Sequence, residues 1–227
     1  MSLEVLYEDN HIIAVNKKPS DIVQGDKTGD KPLSDYVKEY IKEKYNKPGN
    51  VYLGVTHRID RPVSGVLIFA KTSKAVSRLN EMFRIKTIQK TYWAAVKNSP
   101  PKTSDTLIEY LRKNKDKNRS FVEKDDSKGA KRAELSYKLI AKSDHYNLLE
   151  VMPKTGRHHQ IRVQLSHMGC PIKGDLKYGA KRGNENASIH LHARKIEFTH
   201  PVSKEEISIT APTPDDALWN EFESLVS

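Results

Sequence analysis

His57-Arg58-Ile59-Asp60-Arg61-Pro62-Val63-Ser64-Gly65-Val66-Leu67-Ile68-Phe69-Ala70 is the stretch on which the reading of this chain turns. A polar segment punctuated by Pro62 and Gly65 runs directly into the continuous apolar run Val66–Ala70, which reads as a buried strand. The loop brings one carboxylate, Asp60, between two arginines at the mouth of that strand. Flanking guanidinium groups favour the charged form of a carboxylate. An ionised, partly dry carboxylate can act as a nucleophile toward an anomeric carbon, as in retaining glycosidases. The other reading is a turn in which Asp60 caps backbone amides and pairs with Arg58. Ser64 beside His57 and Asp60 also raises a hydrolase triad, but no Gly-x-Ser-x-Gly elbow is present.

Upstream of this stretch, Leu3, Val5 and Leu6, the polar Glu8-Asp9-Asn10 and then Ile12–Val15 read as two short strands around a turn. Leu33, Tyr36, Val37, Tyr40 and Ile41 recur at helical spacing, with Pro32 suited to the first turn, and a loop with Pro48 and Gly49 follows. Downstream, the spacing predicts a helix carrying Val76, Leu79, Met82 and Phe83, with Ser73 as its cap. Tyr92–Val96, Ala133–Leu139 and Tyr146–Val151 read as strands rich in aromatic and branched residues. Ile161, Leu165 and Met168 share a helical face that Gly169 stops. Ile189–Phe198 and Ile207–Ala211 suggest further strands, and Thr213-Pro214-Asp215 opens a last helix carrying Leu218, Phe222 and Leu225. Strands in succession with helices scattered between them favour an α+β fold with a largely antiparallel or mixed sheet.

The 227 residues can bury a sizeable core, about 70% of the unfolded surface at this size, and suit one domain or two closely packed lobes. No apolar run approaches the roughly 20 residues of a spanning helix. Cys170 stands alone, so no disulfide framework or cysteine-rich zinc site is expected. The opening Met1-Ser2-Leu3-Glu4 lacks a signal peptide's apolar core, and a reducing, cytoplasmic setting fits best.

The formal net charge of +10 is unevenly spread. Residues 71–132 hold 17 basic and 7 acidic groups, residues 154–182 hold seven and one, and residues 197–227 reverse to one and seven. Two basic zones and an acidic tail point to a polyanionic partner on a directed surface. Arg112–Lys117 reads equally as a solvated loop that keeps the protein soluble.

Thr155-Gly156-Arg157-His158-His159-Gln160-Ile161-Arg162 is a second constellation. With a strand ending near Val151 and a helix starting near His158, the loop's amides and Arg157 suit phosphate, and Arg162 falls about one turn into the helix, within reach of an opposing carboxylate. His158, His159 and His190-x-His192 raise a metal site, but no acidic ligand stands at a recognisable spacing. Tyr92, in Lys90-Thr91-Tyr92, either fills the core or stacks on a base. Gly174-Asp175-Leu176-Lys177-Tyr178-Gly179 reads as a tight turn, because it lacks the Gly-Lys-Ser/Thr of a phosphate loop.

In order along the chain, the segments 57–65, Lys90-Thr91-Tyr92, Gly156–Arg162, Gly169-Cys170-Pro171-Ile172-Lys173-Gly174-Asp175 with Tyr178-Gly179, and His192-Ala193 through Phe198-Thr199-His200-Pro201 resemble the RluA class of pseudouridine synthases. The opening Val5–Pro19, with its polar turn and Asn-Lys-x-Pro segment, resembles the start of that family. The resemblance implies a single catalytic domain over 1–227 made of two packed lobes, with a sheet of the pseudouridine synthase type, peripheral helices and a central RNA-binding cleft. It implies isomerisation of uridine in RNA without metal or organic cofactor. Asp60 would be the nucleophile, Tyr92 would pack on the target base, and Arg162 would pair with Asp60. Arg58 would help displace the nucleotide, with His57, Arg61, Arg157 and Gln160 as further substrate contacts. Two residues, Ile59 and His158, depart from the family pattern. No small RNA-binding appendage is expected before the catalytic-type sequence, so the choice between rRNA and tRNA falls to the core and its loops.

The expected partner is therefore RNA, with neither membrane nor DNA, for a monomeric enzyme. The two basic zones would line the cleft around Asp60 and the acidic tail would face away. The alternatives are a non-catalytic RNA-binding or ribosome-assembly protein that keeps the fold, and a glycosidase or base-excising hydrolase, which lacks the second carboxylate of an acid/base pair.

Overall fold

A computed structural model describes residues 3–25 and 29–226; Met1 and Ser2, on which part of the N-terminal reading rests, lie outside them. The chain divides into two compact units, Met1–Gln89 with Ala193–Pro212 and Lys90–His192 with Thr213–Ser227. All strand pairings given below are antiparallel.

In the first unit, β1 (Val5–Glu8) and β2 (Ile12–Lys17) form the expected hairpin. Asp9 closes its turn, its Oδ1 accepting the amides of His11 and Ile12 at 2.7 and 2.8 Å. β2 pairs along its whole length with β4 (Ser64–Ala70), and Ile12–Val15 and Leu67–Ala70 are fully buried. The apolar run of the sequence is thus the centre of this core. Short β3 (Gly54–Val55) lies on β4, while β10 (Leu191–Thr199), which starts in the second unit, pairs with β11 (Glu206–Thr210). Helix α1 (Leu33–Lys44) starts one residue after Pro32 and buries Leu33, Val37 and Ile41. Helix α2 (Ser73–Ile85) buries Ala75 and Leu79. Its cap is Thr72, not Ser73: Thr72 has the extended backbone a cap needs, and its hydroxyl accepts the Ala75 amide at 3.2 Å.

The second unit orders its strands β5 (Gln89–Val96), β9 (Asn147–Pro153), β8 (Lys131–Lys142), β6 (Ser104–Asn114) and β7 (Arg119–Glu123). The β6–β7 hairpin revises the loop reading of Arg112–Lys117: Arg112 and Lys113 pair with Phe121 and Ser120, and only Lys115–Asn118 form the turn. Trp93 and Ala95 of β5 and Leu148 of β9 pack with Trp219 and Phe222 of α4 (Ala217–Val226). That helix begins later than Thr213-Pro214-Asp215 because Asp216 caps it, its Oδ1 accepting the amides of Leu218 and Trp219 at 3.0 and 3.3 Å. A second cluster joins Leu111, Ala133, Val163 and Tyr178. Val163 belongs to α3 (Gln160–His167), which starts two residues later than expected because His159 adopts a left-handed conformation, φ 53°.

Candidate active site

Asp60 sits half-buried in the loop between β3 and β4, and local contacts hold that loop at both ends. At its start, the Thr56 hydroxyl donates to the Ile68 carbonyl and His57 Nε2 accepts the Ile68 amide, both at 3.0 Å. His57 also lies 4.7 Å from the Phe83 ring. A ring nitrogen bound to the β4 backbone is ill placed to act as the base of a Ser64 triad. At the far end, the Val63 amide donates to the Asp60 carbonyl at 3.0 Å. Ile59 and Val63, 7% and 2% exposed, anchor the loop in the core on either side of the carboxylate.

Gly65 ends the loop at φ +115°, where a Cβ would lie 2.3 Å from the Ala193 carbonyl oxygen. Only glycine permits that approach.

The strongest restraint on the loop comes from Lys17, at the end of β2. Its side chain is fully buried, and Nζ donates to the carbonyls of Lys18, Arg61 and Val63 at 2.9, 3.0 and 2.7 Å. Burial pushes its pKa down to about 7, opposed by the carboxylates of Asp21 and Asp60 and assisted by Arg61. Three carbonyls require three N–H donors, which only the ammonium form carries. Lys17 is the lysine of the Asn-Lys-x-Pro segment, to which the sequence alone assigns no role; the signal was its place in register with Ile13 and Val15 on the apolar face of β2. Of the arginines beside Asp60, Arg58 is exposed and Arg61 pairs with Asp30 at 2.7 Å on the surface.

In the second unit, Tyr92 is half-buried on β5 opposite Val151, while its neighbour Trp93 fills the core. Arg162 lies on α3, 4% exposed, and makes a bidentate pair with Asp175: Nε to Oδ2 at 2.7 Å and Nη2 to Oδ1 at 2.9 Å. Asp175 is the one acid among the seven basic groups of 154–182, and that isolation was its signal. Tyr178 packs between two guanidinium groups, those of Arg162 and Arg119, 5.1 and 5.0 Å from its ring centre. Its hydroxyl accepts the Ser120 amide at 2.8 Å and shares a hydrogen bond with His159 Nδ1 at 2.9 Å. Burial, then the positive charges of Arg162, His158, Lys177 and Lys113, push His159 down to about 2. Ser120 Oγ donates to the His158 carbonyl at 2.6 Å, and the two histidine rings stack at 3.8 Å. The adjacent histidines thus serve a hydrogen-bonded and stacked network, and among the described residues no three His, Cys, Asp or Glu side chains gather as a metal site.

Gln160 is buried and holds the loop before α3. Its Oε1 accepts from the Thr155 hydroxyl and the Arg157 amide at 2.7 and 3.0 Å, and its Nε2 donates to the Glu134 carbonyl at 3.0 Å. The Arg157 amide is therefore already bonded, although the sequence reading assigned this loop's amides to phosphate. The Arg157 side chain is exposed, with Nε donating to the Arg132 carbonyl at 3.1 Å.

The chain belongs to the RNA pseudouridylate synthase family, whose pattern matches residues 11–167, and it is accordingly a pseudouridine synthase. It is 37% identical over 219 residues to the ribosomal large subunit pseudouridine synthase C of Buchnera aphidicola subsp. Acyrthosiphon pisum, covering 93% of this chain and 68% of that one. It is 33% identical over 230 residues to the tRNA pseudouridine synthase C of Pasteurella multocida, covering 93% and 91%. Among solved structures, human RNA pseudouridylate synthase domain containing 4 shares the fold with a TM-score of 0.79 at 22% identity, covering 98% of this chain and 92% of that one. The expected α+β fold and family are those found. The relatives are named for the enzymatic activity, which favours the enzyme over the binding-protein reading. No helix among the described residues is long and apolar enough to cross a membrane.

Proposed function

We propose that this enzyme converts specific uridines of rRNA or tRNA to pseudouridine with Asp60 as the nucleophile. The observation that carries this reading is the clamp on the Asp60 loop, in which Lys17, Ile59, Val63 and Gly65 fix the backbone on both sides of one carboxylate. Such preorganisation suits a nucleophile that must meet an anomeric carbon at one angle. In the reaction the N1–C1′ bond breaks, the base turns, and C5 bonds to C1′. The C5 proton leaves and N1 gains one, so reactant and product are isomers and no redox partner is required. The base must leave its stack, at a cost of a few kcal/mol, and phosphate contacts can offset that cost. Residues 90–192 supply 21 basic against 11 acidic groups for such contacts. Tyr92 takes the target base, Arg162 balances the charge of the nucleophile, and Arg58 helps to displace the nucleotide. An RNA substrate supports a place in the cytoplasm.

Tritium release from uracil-labelled tRNA and rRNA tests the assignment. Asp60→Ala is expected to abolish release while RNA affinity is retained, and undiminished release would overturn the role of Asp60. Mapping pseudouridines in total RNA from cells with and without the protein identifies the target.

A further inference from the structure

Lys90 is a cation without a counterion. It is half-buried at the start of β5, and among the described residues it has neither an ion pair nor a hydrogen-bonded side-chain partner. Three other sheltered cations among the described residues are answered: Lys17 by three carbonyls, Lys71 by Glu8 at 2.7 Å, and Arg162 by Asp175. Leaving a charge partly desolvated and unpaired disfavours the folded state, and proteins rarely keep one that nothing answers.

Its place on the strand indicates what answers it. Side chains alternate along β5. Trp93 and Ala95 face the core beneath α4, so Lys90, Tyr92 and Ala94 share the opposite face. Lys90 and Tyr92, two residues apart, stand about 7 Å from each other along the strand. A ring positioned for a base and an unanswered ammonium at that spacing match the two chemistries of one nucleotide: a flat apolar ring and an anionic phosphate. Partial desolvation also lowers the Lys90 pKa, a penalty that an incoming anion would remove.

We propose that Lys90 is a positioning residue that receives an RNA backbone phosphate beside the uridine held at Tyr92. This rests on the RNA reading above and adds to it a specific phosphate contact.

The test measures binding of unmodified tRNA and large-subunit rRNA transcripts across 50–200 mM salt for the intact protein, Lys90→Met and Lys90→Arg, with pseudouridine formation followed in parallel. The Met variant is expected to bind about tenfold more weakly. The slope of log affinity against log salt should fall by about 0.7–0.9, one phosphate's share. Its melting temperature should equal or exceed that of the parent, since a poorly solvated charge is gone, and Arg should restore the slope. A Met variant with the parental salt slope overturns the proposal whatever its affinity, as does an Arg variant that folds but fails to restore the slope. Absence of pseudouridine formation by the intact protein would instead count against the functional reading, so the two failures are told apart.

Discussion

The Arg162 guanidinium and the Asp175 carboxylate meet edge to edge through two bonds of 2.7 and 2.9 Å, with side chains 5% and 1% exposed. Both come from the basic segment 154–182, and the arginine that the family resemblance assigns to catalysis is thereby oriented by an acid thirteen residues further on. Two parallel bonds fix the plane of the guanidinium as well as its position. The Tyr178 ring covers one side of it.

Asp175→Asn keeps the shape and removes the charge. A buried arginine left uncompensated costs about 3–5 kcal/mol, so urea unfolding should show a loss of that order. Turnover should drop roughly 100-fold as Arg162 loses its fixed plane. The double variant Arg162→Met/Asp175→Leu should recover most of the stability without recovering turnover, which separates the two effects. Parental stability in the single variant would show that the pair contributes little to folding.

Lys17 exerts the same kind of control on the Asp60 loop from within the first unit. Lys17→Met leaves the carbonyls of Lys18, Arg61 and Val63 without their donor. Buried acceptors left unmet cost about 1–3 kcal/mol each, so chemical denaturation should report a loss of about 3 kcal/mol or more. Pseudouridine formation by the folded fraction should fall with it. Lys17→Arg should not rescue either measurement, because a planar fork cannot point three donors at three converging carbonyls. A rescue by arginine would mean that charge alone matters at this position.

What could be read from the sequence, and what could not, follows from the range of each cause. The β4 strand and the Asp60 loop have local causes, an apolar run and flanking Pro and Gly, and both were found where expected. The β1–β2 turn was equally local, since Asp9 bonds amides two and three residues away. The β6–β7 hairpin was missed because Arg112 and Lys113 look like loop residues until their partners Phe121 and Ser120 are known. The caps of α2 and α4 shifted by one residue or a few because neighbouring Thr, Ser and Asp residues are all capable caps, and backbone angles choose among them. Asp60, Tyr92 and Arg162 were readable as residue types in a family order. Lys17 and Asp175 were not, because their partners lie 46 and 13 residues away in the chain. Gln160 was expected to contact substrate, whereas its side-chain amide holds the loop from Thr155 to Arg157.

The burial of His159 makes stability depend on pH in a direction that can be worked out. An imidazole has an ordinary pKa near 6.5, and in the folded protein burial and nearby cations hold His159 down to about 2. Below pH 6.5 the unfolded chain takes up a proton that the folded one refuses, so stability is lost as the pH falls through the window from 6.5 toward 2. One proton sets a ceiling of about 2 kcal/mol between pH 6.5 and 5, reduced by the part of the ring that water reaches. His159→Asn tests this, since asparagine tolerates the left-handed backbone found there and does not titrate. Buried His190, whose pKa is also lowered by burial, titrates in the same direction in both proteins, so the quantity to read is the difference between them. Denaturant unfolding at pH 7, 6 and 5 should show a shallower loss in the Asn variant. Parallel curves would mean that His159 takes up its proton equally in the folded and unfolded chains, and that burial beside Arg162 does not exclude it.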